Sequence, residues 1–158
     1  MMKKTNAARI LDREKIPYEL CTYEVDENDL SAISVASKIG IDPKQVFKTL
    51  VVRGDKGIIV ASIPGNCELN LKYLASVSGS KKVNLVPLKE VNKLTGYIRG
   101  GVSPIGMKKQ YPFFLDDSAM NYNEIYISAG LRGMQFYIKP EDLLSVTKGI
   151  SCKLVEIE

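Results

Sequence analysis

The stretch VFKTLVVRGDKGIIVASIP, residues 46–64, decides the fold. Two runs rich in β-branched residues, 46–53 and 57–64, flank GDKG, whose glycines and aspartate suit a tight chain reversal. An antiparallel hairpin is predicted. In its first strand Lys48, Leu50 and Val52 share one face and Phe47, Thr49 and Val51 the other. Both faces are mainly apolar, as in a strand covered on both sides. Lys48 is the exception. Lysine is seldom buried without a partner, so it either snorkels to water at the strand's start, the commoner outcome, or points into a cleft. In a cleft it is a cation able to hold a phosphate or polarise a carbonyl.

Working outward, Thr5 is a candidate cap for a helix over NAARILDREK (6–15), which Pro17 ends. YELCTYEV (18–25) reads as a strand. SAISVASKIG (31–40) reads as a helix capped by Ser31 and stopped by Gly40. Past the hairpin, ELNLKYLASVSG (68–79) is a helix capped by Asn70 and closed by Gly79. PLKEVNKLTG (87–96) is another, from Pro87 to Gly96, with KVNLV (82–86) a short strand between them. The last third predicts strands at YIR (97–99), YPFFL (111–115), EIYIS (124–128), MQFYI (134–138) and SCKLVEI (151–157). One helix interrupts them at PEDLLSV (140–146). Without a regular β-α-β rhythm, this is an α+β domain around a mixed sheet rather than a doubly wound fold.

Composition narrows the function classes. The 158 residues are 45% hydrophobic and 25% charged, ordinary for one globular domain. No apolar run approaches the ~20 residues needed to span a bilayer, and MMKKTNAARILDREK has no apolar segment after its lysines, so a soluble, cytoplasmic protein is expected. Cys21, Cys67 and Cys152 are odd in number and widely spaced, which reads as reduced structural thiols. The formal charge is +4, with doublets at Lys3-Lys4, Lys81-Lys82 and Lys108-Lys109 and with Lys72, Lys89, Lys93 and Arg99 among them. That permits contact with a phosphate backbone without demanding it.

The chain contains no histidine. Ser-His-Asp and Cys-His nucleophile systems and imidazole metal sites are therefore excluded. GGVSPIGMKK departs from a phosphate-binding P-loop because Met107 stands where the lysine belongs, and no G-x-G-x-x-G occurs. Asp116 and Asp117 are adjacent on a strand and point to opposite faces, so a turn-and-cap role outweighs a shared site. Tyr111, Phe113, Phe114, Tyr122 and Tyr126 read as core before they read as a stacking platform. No cofactor and no metal is expected.

Two further segments complement Lys48. In YIRGGVSPIG, Gly100 and Gly101 admit close backbone approach, Ser103 adds a hydroxyl and Pro104 stiffens the loop. In IYISAGLRGMQFYI, Ser128, Gly130 and Arg132 offer a hydroxyl, backbone amides and a cation between two strands. Each alone is equally a tight connection. Together with Lys48 they suit a substrate with phosphate and carbonyl oxygens.

VFKTL before a hairpin, LNLKYLA, KKV, TGYIRGGVSPIG and IYISAGLRG ahead of PEDLL, in this order, resemble the YbaK-type aminoacyl-tRNA deacylases. The same domain is inserted in some bacterial prolyl-tRNA synthetases. The resemblance runs from the first helix to the last, so residues 1–158 are expected to form a single editing domain. It implies a mixed, mostly antiparallel, barrel-like sheet flanked by helices. It also implies removal of cysteine from Cys-tRNA(Pro), with Cys-tRNA(Cys) a further candidate substrate.

The alternatives are an Ala-tRNA(Pro) deacylase, a deacylase for another misacylated tRNA, or a non-catalytic aminoacyl-tRNA or synthetase-binding module. The implied partners are the aminoacyl-tRNA acceptor end and prolyl-tRNA synthetase, with neither membrane nor DNA. By the same resemblance Lys48, Gly101, Ser128 and Gly130 are the catalytic candidates. Tyr23, Thr49, Gly100, Ser103, Gly106 and Arg132 are the substrate-binding ones. Two positions depart from some relatives: no histidine follows Tyr23, and Gln135 stands where some carry an acid. In the implied mechanism the cysteinyl thiol attacks its own carbonyl, Lys48 holds the terminal phosphate or the carbonyl region, and amides around Gly101 and Gly130 meet the oxyanion.

Overall fold

The computed structural model describes residues 4–156. Lys3 of the first basic doublet and Ile157 of the last expected strand lie outside the described residues. Five helices form where caps and stops were expected: α1 (Asn6–Arg13), α2 (Ala32–Ile39), α3 (Leu71–Ser78), α4 (Leu88–Thr95) and α5 (Pro140–Thr147). The side chains of Thr5, Ser31 and Asn70 accept from the amides of Ala8, Ser34 and Tyr73 and so satisfy donors that a helix start leaves unpaired. Gly40, Gly79 and Gly96 end α2, α3 and α4 in the left-handed conformation that glycine adopts without strain.

The strands are β1 (Glu19–Thr22), β2 (Val46–Gly54), β3 (Gly57–Pro64), β4 (Asn84–Leu85), β5 (Phe113–Asp116), β6 (Ile125–Leu131), β7 (Met134–Ile138) and β8 (Ile150–Cys152). They form one sheet in the order β1-β7-β6-β2-β3-β5-β8, with β4 added beside β2. The pairs β1–β7, β6–β7, β2–β3 and β2–β4 are antiparallel, and β2–β6, β3–β5 and β5–β8 are parallel. The sheet is thus mixed and mostly antiparallel, as expected, and it is open. The central hairpin pairs Phe47 with Pro64 through Gly54 with Gly57, leaving Asp55 and Lys56 as a two-residue turn.

Three local expectations are corrected. YIR is not a strand: Tyr97 lies in a loop, where its hydroxyl donates to the Ile105 carbonyl at 2.5 Å. Burial pushes that phenol up to about 12, so it stays protonated and donating. The segment Ser128–Ala129–Gly130, expected between strands, belongs to β6, which carries an irregularity between Ser128 and Leu131. The final strand is short, because Leu154 and Val155 leave the ladder to pack with α3.

The core lies on both faces of β2. Phe47 joins Val60, Ile127, Phe136 and Leu143 under α1 and α5, while Val52 joins Ile63, Leu74 and Leu154 under α3. Each such side chain contributes roughly 1.5–3 kcal/mol when fully buried. The five aromatic residues are core, as expected: Phe113 and Phe114 are buried in different clusters, and Tyr111, Tyr122 and Tyr126 pack against cluster edges. Asp116 is buried and accepts from the amides of Ser118 and Leu154, the capping role its position suggested.

One feature of β2 opens the molecule. Its β3 side is paired along its length, whereas its other side meets β6 only at Val46 and Phe47 and β4 only at Val52 and Arg53. The Val86 amide extends the β4 contact by donating to the Val51 carbonyl, and between those contacts residues 48–50 have no backbone neighbour on that side. The sheet parts there.

Candidate active site

A cavity of about 460 Å³ occupies this gap. Lys48 and Ser128 follow Phe47 and Ile127, the last paired residues of the β2–β6 ladder, and so emerge together on one face. Ser128 pairs in turn with Gln135 of β7. The result is a polar row, Lys48, Ser128 and Gln135, across three strands, and all three line the cavity. The remaining walls are largely apolar, with Leu30, Val35, Val86, Val91 and Val102 from α2, the β4–α4 segment and the glycine loop.

Lys48 is half-buried, and its Nζ lies 3.4 Å from the Gly65 carbonyl, beyond the usual range for such a bond. It points into the cleft; it does not snorkel out. Ser128 Oγ accepts from the Gly130 amide at 3.1 Å, which fixes the hydroxyl and leaves its own hydrogen to donate. Gln135 is 5% exposed and its Oε1 has no hydrogen-bond partner. A buried unpartnered carbonyl oxygen is costly, so its presence against a cavity is a functional signal. The cavity's charged lining residues are Lys48 and Arg99, both cations, with no carboxylate.

The other expected residues fall in three places. Thr49 and Gly100 line the cavity, and Thr49 Oγ1 is hydrogen-bonded to Ser62 Oγ at 2.8 Å. Tyr23 and Arg132 line a small adjoining cleft that also touches Gly100. There Arg132 donates from Nε to the Arg99 carbonyl and pairs with Glu27 at 2.8 Å. Gly101, Ser103, Gly106 and Gly130 are not among the cavity's lining residues.

Their roles in the structure are structural contacts. The Gly101 amide donates to the Ile98 carbonyl, and a Cβ on Gly101 would stand 3.1 Å from Arg132 N, so the loop packs directly on the end of β6. Ser103 Oγ accepts from the Ile105 amide. The Gly106 carbonyl accepts from Asn6, and Gly130 abuts the Tyr97 ring. The Gly101 and Gly130 amides, expected to meet an oxyanion, are therefore engaged within the protein.

The family model for the aminoacyl-tRNA editing domain matches residues 27–146. This chain belongs to that family. Among curated relatives of the editing domain, the Enterococcus faecalis protein named "Putative Cys-tRNA(Pro)/Cys-tRNA(Cys) deacylase EbsC" is 52% identical over 148 residues, covering 93% of this chain and 90% of the relative. A proline--tRNA ligase of Thermosipho melanesiensis is 24% identical over 136 residues, covering 79% of this chain and 24% of the ligase. The crystal structure of "a putative trans-editing enzyme for prolyl tRNA synthetase" superposes with a TM-score of 0.82 at 25% identity, covering 99% of this chain and 100% of that one.

Within this editing domain two lining residues, Arg99 and Gln135, had only weak sequence signals. Gln135 alternates with apolar Met134, Phe136 and Ile138, so it faces away from the core they fill. Arg99 precedes the paired glycines and sits among many other surface cations. Only the meeting of four elements shows that both serve one cavity.

Proposed function

We propose that the chain acts as one trans-editing domain that deacylates mischarged aminoacyl-tRNA, with Cys-tRNA(Pro) the preferred substrate. The observation that carries this reading is the polar row of Lys48, Ser128 and Gln135 on the floor of an otherwise apolar, cationic cavity, in a member of the editing family. An aminoacyl ester is already activated. Positioning it and stabilising charge on the carbonyl oxygen therefore suffices, and no protein nucleophile is required.

In the cysteine reaction the substrate sulfur attacks its own carbonyl carbon. A C–S bond forms, the C–O ester bond breaks, and the proton lost by the thiol ends on the departing ribose oxygen. The products are a cyclic thiolactone and free tRNA. Lys48 Nζ and the Ser128 hydroxyl are the side-chain donors that face the carbonyl oxygen in this arrangement. Tyr23, Thr49, Gly100 and Arg132 shape the binding surface, and Gly101, Ser103, Gly106 and Gly130 hold the loops that form it. The partners are the aminoacylated acceptor end and, for selecting tRNA(Pro), prolyl-tRNA synthetase.

The test is a panel of Cys-, Ala- and Ser-charged tRNA(Pro), with Cys-tRNA(Cys), each with and without the synthetase. Release is expected to be fastest for cysteine, the one residue of the three that carries a thiol. Equal rates for serine or alanine would overturn thiol assistance, and absence of release from every substrate would overturn the enzymatic reading in favour of a binding module.

A further inference from the structure

Away from the active cavity, one other place carries the same sign of an unfilled polar site. Among the described residues two buried side-chain oxygens have no hydrogen-bond partner, Gln135 Oε1 and Ser118 Oγ. The first lies against the active cavity. The second belongs to a residue that is 9% exposed and lines a second cavity, of about 500 Å³. A buried serine hydroxyl usually finds a partner, and one left without it costs stability that an apolar side chain would not. The backbone holds Ser118 there, its amide donating to Asp116 Oδ2 at 3.2 Å.

This cavity is walled by the end of β3 and the loop after it, by Lys44 ahead of β2, and by the turn over residues 118–122. Its charges are of both signs. Lys44 and Glu68 line it, both are exposed, and neither forms an ion pair among the described residues. Two opposite charges on one cavity that do not close on each other leave room for a ligand that carries both. Glu156 also lines it but is already engaged by Tyr73 and Lys153, so Glu68 is the carboxylate without an ionic partner. An anion alone would face these carboxylates, and a cation alone would face Lys44. The carboxamides of Asn66 and Asn121 add groups that donate and accept, as an ammonium and a carboxylate side by side require.

One turn of chain separates this cavity from the active one. Pro64 and Asn66 line the second cavity, Gly65 between them lines the first, and the two share no lining residue. Gly65 is wedged in place: its amide donates to the Val46 carbonyl at 2.7 Å, and a Cβ would stand 2.8 Å from that of Ala32. The cavities therefore lie back to back across a tightly packed wall.

We infer that this second cavity binds a free α-amino acid, with its carboxylate on Lys44, its ammonium on Glu68 and one of its polar atoms as the missing partner of Ser118 Oγ. The site is distinct from the row that faces the ester, and it needs no tRNA to be occupied.

The test is titration of L-cysteine, L-serine, L-alanine and L-proline into the full chain, followed by calorimetry and by NMR of the labelled protein. At least one is expected to bind with Kd on the order of 1 mM, ordinary for a ligand of so few atoms, and to shift the resonances of Asn66, Ser118 and Asn121. N-acetyl-L-alanine and L-alaninamide, which each lack one charge, should bind at least about ten-fold more weakly than L-alanine. Lys44→Met and Glu68→Gln, both on exposed side chains and checked by an unchanged Tm, are each expected to weaken binding about ten-fold. Ser118→Ala should weaken it while Tm holds or rises, because the variant loses a buried oxygen that has no partner in the empty protein.

Lys48→Met supplies the control, and binding to it should match the wild type. The site is refuted if none of the four amino acids binds at about 10 mM, ten times the expected Kd. It is equally refuted if the singly charged derivatives bind as well as L-alanine. Binding that is lost in Lys48→Met but kept in Lys44→Met would place the amino acid in the active cavity and overturn the assignment. Every arm reads binding directly, so the outcome is independent of whether any mischarged tRNA is deacylated.

Discussion

Replacing Lys48 by methionine separates electrostatics from packing. Methionine keeps most of the unbranched stem and removes the charge. In the resting structure the ammonium makes one long contact, 3.4 Å to the Gly65 carbonyl, and no carboxylate lines the cavity with it. Little folding energy therefore depends on it: a change within about 1 kcal/mol, or about 2–4 °C in Tm, is expected. The transition state is different. A unit charge about 4 Å from an oxyanion at an effective dielectric near 20 contributes about 4 kcal/mol. Partial exposure of Lys48 admits water and reduces this to roughly 3 kcal/mol, similar to the loss of one oxyanion-hole donor. That is about 150-fold in rate. Single-turnover deacylation of Cys-tRNA(Pro), with thermal melts in parallel, measures both. A variant that keeps a third or more of the wild-type rate at unchanged Tm would refute the electrostatic role of Lys48. Lost rate tracking lost stability would make the residue structural.

Further expectations concern the frame around that lysine. Gln135→Leu removes a buried, unpartnered oxygen, so Tm should hold or rise while deacylation slows; a lower Tm with full activity would show the carboxamide to be structural. Gly101→Ala places a Cβ about 3 Å from the backbone of Leu131 and Arg132, atoms that cannot rotate away, and should cost about 1–3 kcal/mol, read as a Tm drop of several degrees. Tyr97 is held up to about 12 by burial, against 10 when unfolded. Its contribution is full below pH 10 and is lost as pH rises from 10 towards 12, since the unfolded chain deprotonates first. Urea unfolding across that window should show a steeper stability loss for wild type than for Tyr97→Phe, and parallel slopes would contradict this assignment.

Much of this fold was legible because its signals are local. The caps Thr5, Ser31 and Asn70, the stops Gly40, Gly79 and Gly96, and the hairpin at residues 46–64 depend on neighbours a few positions away. YIR failed because two strand-prone residues, Tyr97 and Ile98, cannot outweigh a loop fixed by the Tyr97 hydroxyl and by the turn from Ile98 to Gly101. The segment after Ile127 was misplaced for a related reason: glycine reads as a break, and here it accommodates a strand irregularity.

The site divides in the same way. Lys48, Ser128 and the glycine loops could be picked out as donor-rich segments, and their resemblance to an editing family is carried in the residues themselves. The sequence by itself thus determined the family, the hairpin at the centre of the sheet and the absence of any imidazole chemistry. Only tertiary structure decided that Lys48 turns into a cleft and that Gln135 and Arg99 join it. It also showed that the Gly101 and Gly130 amides are engaged internally. The physical reason is that the cavity exists where β2 loses a neighbour between β6 and β4, two strands from distant parts of the chain. A gap between such partners leaves no pattern within either.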